Sequence, residues 1–172
     1  MKIAMIGTGY VGLVSGVCFS DFGHNVICVD KNPDKIAMLE AGRVPIYEPG
    51  LDAVMARNVT AGRLSFSVDL AQAGHGADAQ FIAVGTPSRR GDHHVDLSYV
   101  MAAAQEIATA ATGYLVVVTK STVPVGTNRK VQAAIAKANP NLEFDVVSNP
   151  EFLREGSAIN DFMMPDRVVV GV

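Results

Sequence analysis

The sequence contains no tryptophan and only two cysteines, and aromatic residues make up 6% of its 172 positions. Two cysteines exclude a small scaffold stapled by several disulfides. Cys18 and Cys28 each sit inside an apolar run, where buried free thiols in a reducing compartment account for them. Charge is scarce as well: 18% of residues are ionic, with a formal net charge of -3. That balance provides no basic face for nucleic acid and no attraction to an anionic membrane. An anionic ligand stays possible, because a helix N-terminus holds phosphate without net positive charge. No apolar run approaches the ~18 residues of a membrane-spanning helix. Met1-Lys2 leads straight into an apolar stretch with no secretory leader pattern, so the expectation is a soluble cytoplasmic protein. Repeats, low-complexity tracts and linkers are also lacking. What is abundant is apolar side chain, at 49%, enough to build the core of one domain.

Short β-branched runs alternate with longer alanine-rich segments. The runs predict strands over Lys2–Ile6, Asn25–Val29, Arg63–Phe66, Ala79–Val84, Tyr114–Thr119, Glu143–Val147 and Arg167–Val170. Nearly continuous apolar stretches such as LVVVT belong to strands covered on both faces, as in a parallel sheet between helical layers. Helices are expected over Val11–Phe22, Asp34–Glu40, Leu51–Asn58, Ser98–Thr112 and Thr127–Ala138. Repeated strand–helix–strand units give an α/β fold: a doubly wound, mostly parallel, Rossmann-like sheet with helices on both faces. Gly85–Val95, with its SRRGDHH tract, reads as a mobile loop, and Asn149–Pro165 as a second long connection. The sequence stops just after its last expected strand, as a domain excised from a longer protein would.

The first strand runs into Gly7, Gly9 and Gly12 in GxGxxG spacing. Gly7 suits the tight turn, Gly9 lets a pyrophosphate approach the backbone, and Gly12 lets the helix pack close to the strand. The helix that starts there offers free N–H groups and a positive dipole end. Asp30 closes the second strand, where a carboxylate accepts from the ribose hydroxyls of NAD and repels the 2′-phosphate of NADP; Lys31 beside it opposes that preference. At other strand ends lie Thr86 in VGTPS, Thr122 in KSTVPVGT, and the acids Glu151 and Glu155 in NPEFLREG. If that last segment is helical, its i,i+4 spacing puts both carboxylates on one side, an arrangement suited to acid–base chemistry. Each of these has a plainer reading as a strand-ending turn, a locally satisfied hydroxyl or a solvated loop. His93 and His94 diverge as neighbours and lack ligand-spaced companions, so no metal is expected; His24 and His75 read as turn residues. Tyr47 and Glu48 in PIYEPGL carry no assignable chemistry and read as structural.

GTGYVG followed by HNVICVDKNPDKI, then PIYEPGL, VGTPS, DLSYV, KSTVPVGT and SNPEFLREGSAINDF, resembles the UDP-glucose/GDP-mannose dehydrogenase family along the whole chain. KSTVPVGT and PEFLREG look most like the branch acting on UDP-glucose. The resemblance implies an NAD-binding domain over residues 1–172, with a helical dimerisation segment and a sugar-nucleotide domain outside this chain. By the same resemblance Gly7, Gly9, Tyr10, Val11, Gly12, Asp30, Lys35, Thr86, Thr122 and Glu155 contact NAD. It places Glu151, Phe152, Leu153, Arg154 and Glu155 on the substrate, UDP-glucose, with Glu151 as general base and Thr122 holding a catalytic water. For Lys35 and Arg154 a solvated surface role stays open. The family's thioester-forming cysteine has no counterpart here, since Cys18 and Cys28 fall at expected core positions. The chain alone is therefore expected to bind NAD and turn nothing over, while the parent enzyme is a homodimer or higher homo-oligomer. GDP-mannose or UDP-N-acetylmannosamine as substrate, or a non-catalytic NAD-sensing domain, are the alternatives.

Overall fold

Residues 1–87 and 95–172 are described by a computed structural model. Six strands, β1 (Lys2–Ile6), β2 (Asn25–Val29), β3 (Leu64–Ser67), β4 (Ala79–Ile82), β5 (Leu115–Thr119) and β6 (Phe144–Ser148), form one sheet in the order β3-β2-β1-β4-β5-β6. Every neighbouring pair is parallel, from Ile3 against Val26 on one side of β1 to Val117 against Val146 between β5 and β6. The helices are α1 (Tyr10–Asp21), α2 (Pro33–Glu40), α3 (Leu51–Thr60), α4 (Leu70–Gly74), α5 (Ser98–Ala110), α6 (Thr127–Ala138) and α7 (Ala158–Met163).

Side chains alternate across a strand, so each strand feeds two cores. Ile3, Met5, Val26, Cys28, Phe81 and Val118 pack with apolar residues of α1, α2, α3 and α7. Ile6, Val29, Ile82, Leu115 and Val117 face the other way, against α4, α5 and α6. This double coverage is why the strands read as unbroken apolar runs. Both cysteines are fully buried in the first of these cores. The sheet order reverses between β1 and β4, and in open α/β sheets ligands bind outside the carboxyl ends of the strands at such a point.

The expected elements are found with ends shifted by one or two residues, apart from one strand and two helices. The run Arg167–Val170, read as a strand, is not one. Its neighbour Gly171 makes an isolated antiparallel bridge to Ser148, while Val168, Val169 and Val170 are 69%, 40% and 59% exposed. Apolar β-branched residues suit a ladder, but only paired backbone makes one. α4 and α7, with five and six residues, are too short to display a helical period and were not anticipated. α7 lies inside the stretch read as one long connection. Residues 88–94 of the expected Gly85–Val95 loop, His93 and His94 included, lie outside the described residues. No helix among the described residues is long and apolar enough to cross a membrane.

Candidate functional site

After β1 the chain turns at Gly7, whose φ is +103°, and its N–H donates to Val29 O at 2.7 Å. A Cβ on Gly7 would stand 2.6 Å from Ala83 O, and one on Gly12 would stand 1.9 Å from Gly7 O. The turn and α1 fit against the sheet only as glycine. Gly9 differs, because a Cβ there would meet nothing within 4 Å. It lies on the wall of an open cleft of about 730 Å³ that also contains Gly7, Asp30, Lys35 and Thr86. Gly9 is the N-cap of α1 and no side chain caps the helix, so its first N–H groups remain available to an anion. Val68, Leu70, Ala102 and Ala103 give the cleft apolar walls, and Lys31 pairs with Glu106 at 2.7 Å on its rim.

Asp30 is the least exposed of the charged side chains on this cleft, which also include Lys31, Lys35 and Glu106. Its Oδ2 accepts from Thr8 N at 3.0 Å and Thr8 Oγ1 at 2.6 Å, and from Lys35 Nζ at 3.4 Å; Oδ1 accepts from Asn32 N at 3.0 Å. Burial alone would raise its pKa, but the Thr8 and Asn32 hydrogen bonds and the Lys35 charge outweigh it and hold the carboxyl below its ordinary range. The group is thus an anion with acceptor capacity to spare at the mouth of the β1–α1 turn. Thr8, fully buried, was not singled out in the sequence; only its place inside the glycine fingerprint marks it.

A second cleft, of about 870 Å³, lies beside the segment after β6 and is lined by Lys120, Asn149, Glu151, Phe152, Leu153 and Arg154 among others. Residues 151–157 are not helical, so the one-sided placement of Glu151 and Glu155 expected from their i,i+4 spacing does not hold. The helix begins only at Ala158 because Glu48 holds the backbone there. Glu48, 7% exposed, accepts from Gly156 N and Ala158 N at 2.8 Å each, from Ile159 N at 3.4 Å, and from the Tyr10 hydroxyl. Burial would raise its pKa, yet these donors keep it below the ordinary carboxylate range. The Tyr10 hydroxyl is correspondingly pushed up to about 12, chiefly by burial and then by Glu48. Glu48, read from the sequence only as structural, therefore joins the start of α1 to the segment that carries Glu151.

Of the residues expected at a cofactor, Gly7, Gly9, Asp30, Lys35 and Thr86 share the first cleft. Tyr10 turns its hydroxyl to Glu48 instead, and Val11 is half-buried at the start of α1. Thr122 is exposed at the end of β5, and its carbonyl accepts from Thr86 Oγ1 at 3.1 Å, which ties the two strand-end loops together. Ser121 Oγ donates to Val84 O at 2.7 Å, a local backbone bond. Glu151 is half-buried with Oε2 accepting from Leu153 N at 2.6 Å, whereas Glu155 is exposed. Arg154 is engaged by Asp161 through its guanidinium, at 2.6 and 3.0 Å, and through its backbone N–H at 2.9 Å. Phe152 is exposed, with Arg167 over its ring at 5.2 Å, and Leu153 packs on the core.

A glycine turn at the sheet's switch point, an unblocked helix start and an ionised acid at the next strand end define a dinucleotide-binding Rossmann-like domain. The family model for the NAD-binding domain of the UDP-glucose/GDP-mannose dehydrogenase family matches residues 1–172, and the chain belongs to that family. It is 64% identical over 172 residues to the UDP-glucose 6-dehydrogenase of Rhizobium meliloti (strain 1021), covering 100% of this chain and 39% of that protein. Against the UDP-glucose 6-dehydrogenase TuaD of Bacillus subtilis (strain 168) the identity is 54% over 172 residues, covering 99% of this chain and 37% of that protein. The solved UDP-glucose dehydrogenase of Pyrobaculum islandicum superposes with a TM-score of 0.94 at 46% identity, over 98% of this chain and 40% of its own. A ternary complex of the Pseudomonas aeruginosa GDP-mannose dehydrogenase gives 0.95 at 39% identity, over 99% and 41%. The chain thus spans about two fifths of the length of these relatives.

Proposed function

We propose that the chain is the cofactor-binding part of a UDP-glucose 6-dehydrogenase, with a helical dimerisation segment and a sugar-nucleotide domain in the remainder of a homo-oligomeric protein. The observation that carries this reading is the first cleft. Gly9 leaves open space where a side chain would stand, an uncapped helix start borders it, and ionised Asp30 sits on its wall. These residues fit NAD: the start of α1 would hold the pyrophosphate, and Asp30 with Lys35 would hold the adenosine end. NAD, when bound, supplies the electron-pair acceptor for oxidising a primary alcohol to an acid, a change that uses two NAD and proceeds through a cysteine thioester.

The chain's own residues then have defined tasks. Thr86 and Thr122, joined by a hydrogen bond, stand at adjoining strand ends where Thr122 holds the water that attacks the thioester. Glu151 accepts a proton from that water as general base, while its bond to Leu153 N fixes one carboxylate oxygen. The backbone of 151–155 would line the sugar-nucleotide side, and Glu155 would help to hold the nicotinamide end of NAD. The thiol comes from elsewhere, because burial pushes both Cys18 and Cys28 up to about 12 and leaves neither accessible as a thiolate.

The test is to mix the purified chain with NAD and UDP-glucose, GDP-mannose or UDP-N-acetylmannosamine in turn. The expected result is NAD binding by calorimetry, UDP-glucose as the sugar nucleotide whose affinity NAD improves, and no NADH formed. NADH production by the chain alone would overturn the assignment of the nucleophile, and a preference for GDP-mannose would overturn the substrate.

A further inference from the structure

Lys31 follows Asp30 just beyond the end of β2, where a cation is placed to receive the 2′-phosphate that sets NADP apart from NAD. Its Nζ lies 2.7 Å from Glu106 Oε2, and both residues stand on the first cleft. Glu106 belongs to α5, which also puts Tyr99, Ala102 and Ala103 on the cleft. Three- and four-residue steps relate these positions, so one face of the helix presents them all. The ion pair therefore joins that face to the strand end that carries Asp30.

The charges on this cleft fall into pairs. Among the described residues lining it, the cations are Lys31 and Lys35 and the anions Asp30 and Glu106. Lys35 Nζ lies 3.4 Å from Asp30 Oδ2, and Lys31 is engaged by Glu106. Asp30 keeps acceptor capacity for the hydroxyls of a ribose. A 2′-phosphate in that place would meet carboxylates whose partner ammonium groups are already engaged. A plainer use of the Lys31–Glu106 pair would be to brace the fold. Its side chains are 75% and 37% exposed, however, and a pair so placed adds little to stability. Its consequence falls on the ligand instead, because the same ammonium set free is a phosphate-binding cation beside the ribose.

We infer, resting on the reading of the first cleft as the cofactor site, that Glu106 is a specificity-determining residue. By occupying the Lys31 ammonium it denies a 2′-phosphate its cation, and so reinforces the selection of NAD over NADP made at Asp30. Asp30 rejects the phosphate by its own charge, and Glu106 removes the lysine that would offset that rejection.

Calorimetric titration with NAD and with NADP tests it, read as the ratio of the two affinities. In Glu106→Gln, which keeps the length of the side chain and removes its charge, the ratio shifts toward NADP by about threefold or more. That gain comes from the released lysine. In a Lys31→Met background, therefore, the same Glu106→Gln exchange leaves the ratio within about twofold of its Lys31→Met value. In the protein at its natural length, the ratio of kcat/KM for the two dinucleotides moves in the same direction. An unmoved ratio in Glu106→Gln overturns the inference. So does an equal gain in the Lys31→Met background, which would show the carboxylate acting by repulsion alone. Failure of the unaltered protein to bind either dinucleotide overturns the cofactor reading and the inference with it, and the wild-type titration tells that failure from the others.

Discussion

The two clefts are built by opposite means. The first is shaped by backbone: parallel strands, a glycine turn and the start of α1 fix its walls before any side chain is considered. The second is shaped by a few side chains on an irregular segment, with Glu48 holding 156–159, Asp161 holding Arg154 and Lys120 holding Asn149. A backbone-built site fails when a single atom is added, whereas a side-chain-built site fails when a single partner is removed.

The largest effect is expected at Gly12. Gly12→Val places its Cβ in the position where the ideal one stands 1.9 Å from Gly7 O, so α1 must move off the sheet. A loss of about 3 kcal/mol or more in urea unfolding should accompany loss of NAD binding. Wild-type affinity in that variant would break the comparison at its first half.

Next comes Glu48→Ala, which leaves the N–H groups of Gly156 and Ala158 without their acceptor. Losing a buried carboxylate with several donors costs about 2–4 kcal/mol. Limited proteolysis should then cut within 151–163 while NAD affinity changes little; protected 151–163 with NAD binding lost would reverse the assignment of Glu48. The pH dependence follows from the same bonds. Glu48 is held below its ordinary 4.5 in the folded chain, so its contribution is complete above that value and is lost as pH falls through the lower folded value. The melting-temperature gap between wild type and Glu48→Gln should therefore narrow on acidification below about pH 4.5. A gap that stays constant would show that the charge is not what matters.

Arg154→Ala should have the smallest effect. The guanidinium is 75% exposed, and ion pairs so placed contribute little. A melting temperature near that of the wild type is expected, and a large drop would show that the second cleft depends on Arg154 as much as on Glu48.

The same contrast governs how much the sequence disclosed. Unbroken β-branched runs alternating with longer alanine-rich segments are extended regularities, so the sheet, the longer helices and the glycine turn were legible, Thr127–Ala138 to the residue. Gly7, Gly9, Asp30 and Thr86 could be placed together because strand ends in a doubly wound sheet converge, whereas Lys35, in α2, was reached only through the family resemblance. Glu48 could not, since an acid that satisfies backbone over 100 residues away looks like any other acid in a turn, and Asp161 could not, because its pairing with Arg154 depends on the irregular path between them. Lys120 sat inside a quoted motif unremarked, because only the packed structure shows that its charge is buried. Arg167–Val170 misled for the converse reason, with apolar composition but no partner strand beyond one bridge.

Calorimetric titration of the chain with NAD and with NADP, in wild type and in Asp30→Asn, tests the central claim most directly. The account predicts that wild type prefers NAD by about tenfold or more, and that Asp30→Asn weakens NAD binding and narrows the preference, because the carboxylate both accepts from the ribose and repels a 2′-phosphate. Equal affinity for the two dinucleotides, or a preference unchanged in Asp30→Asn, would contradict it.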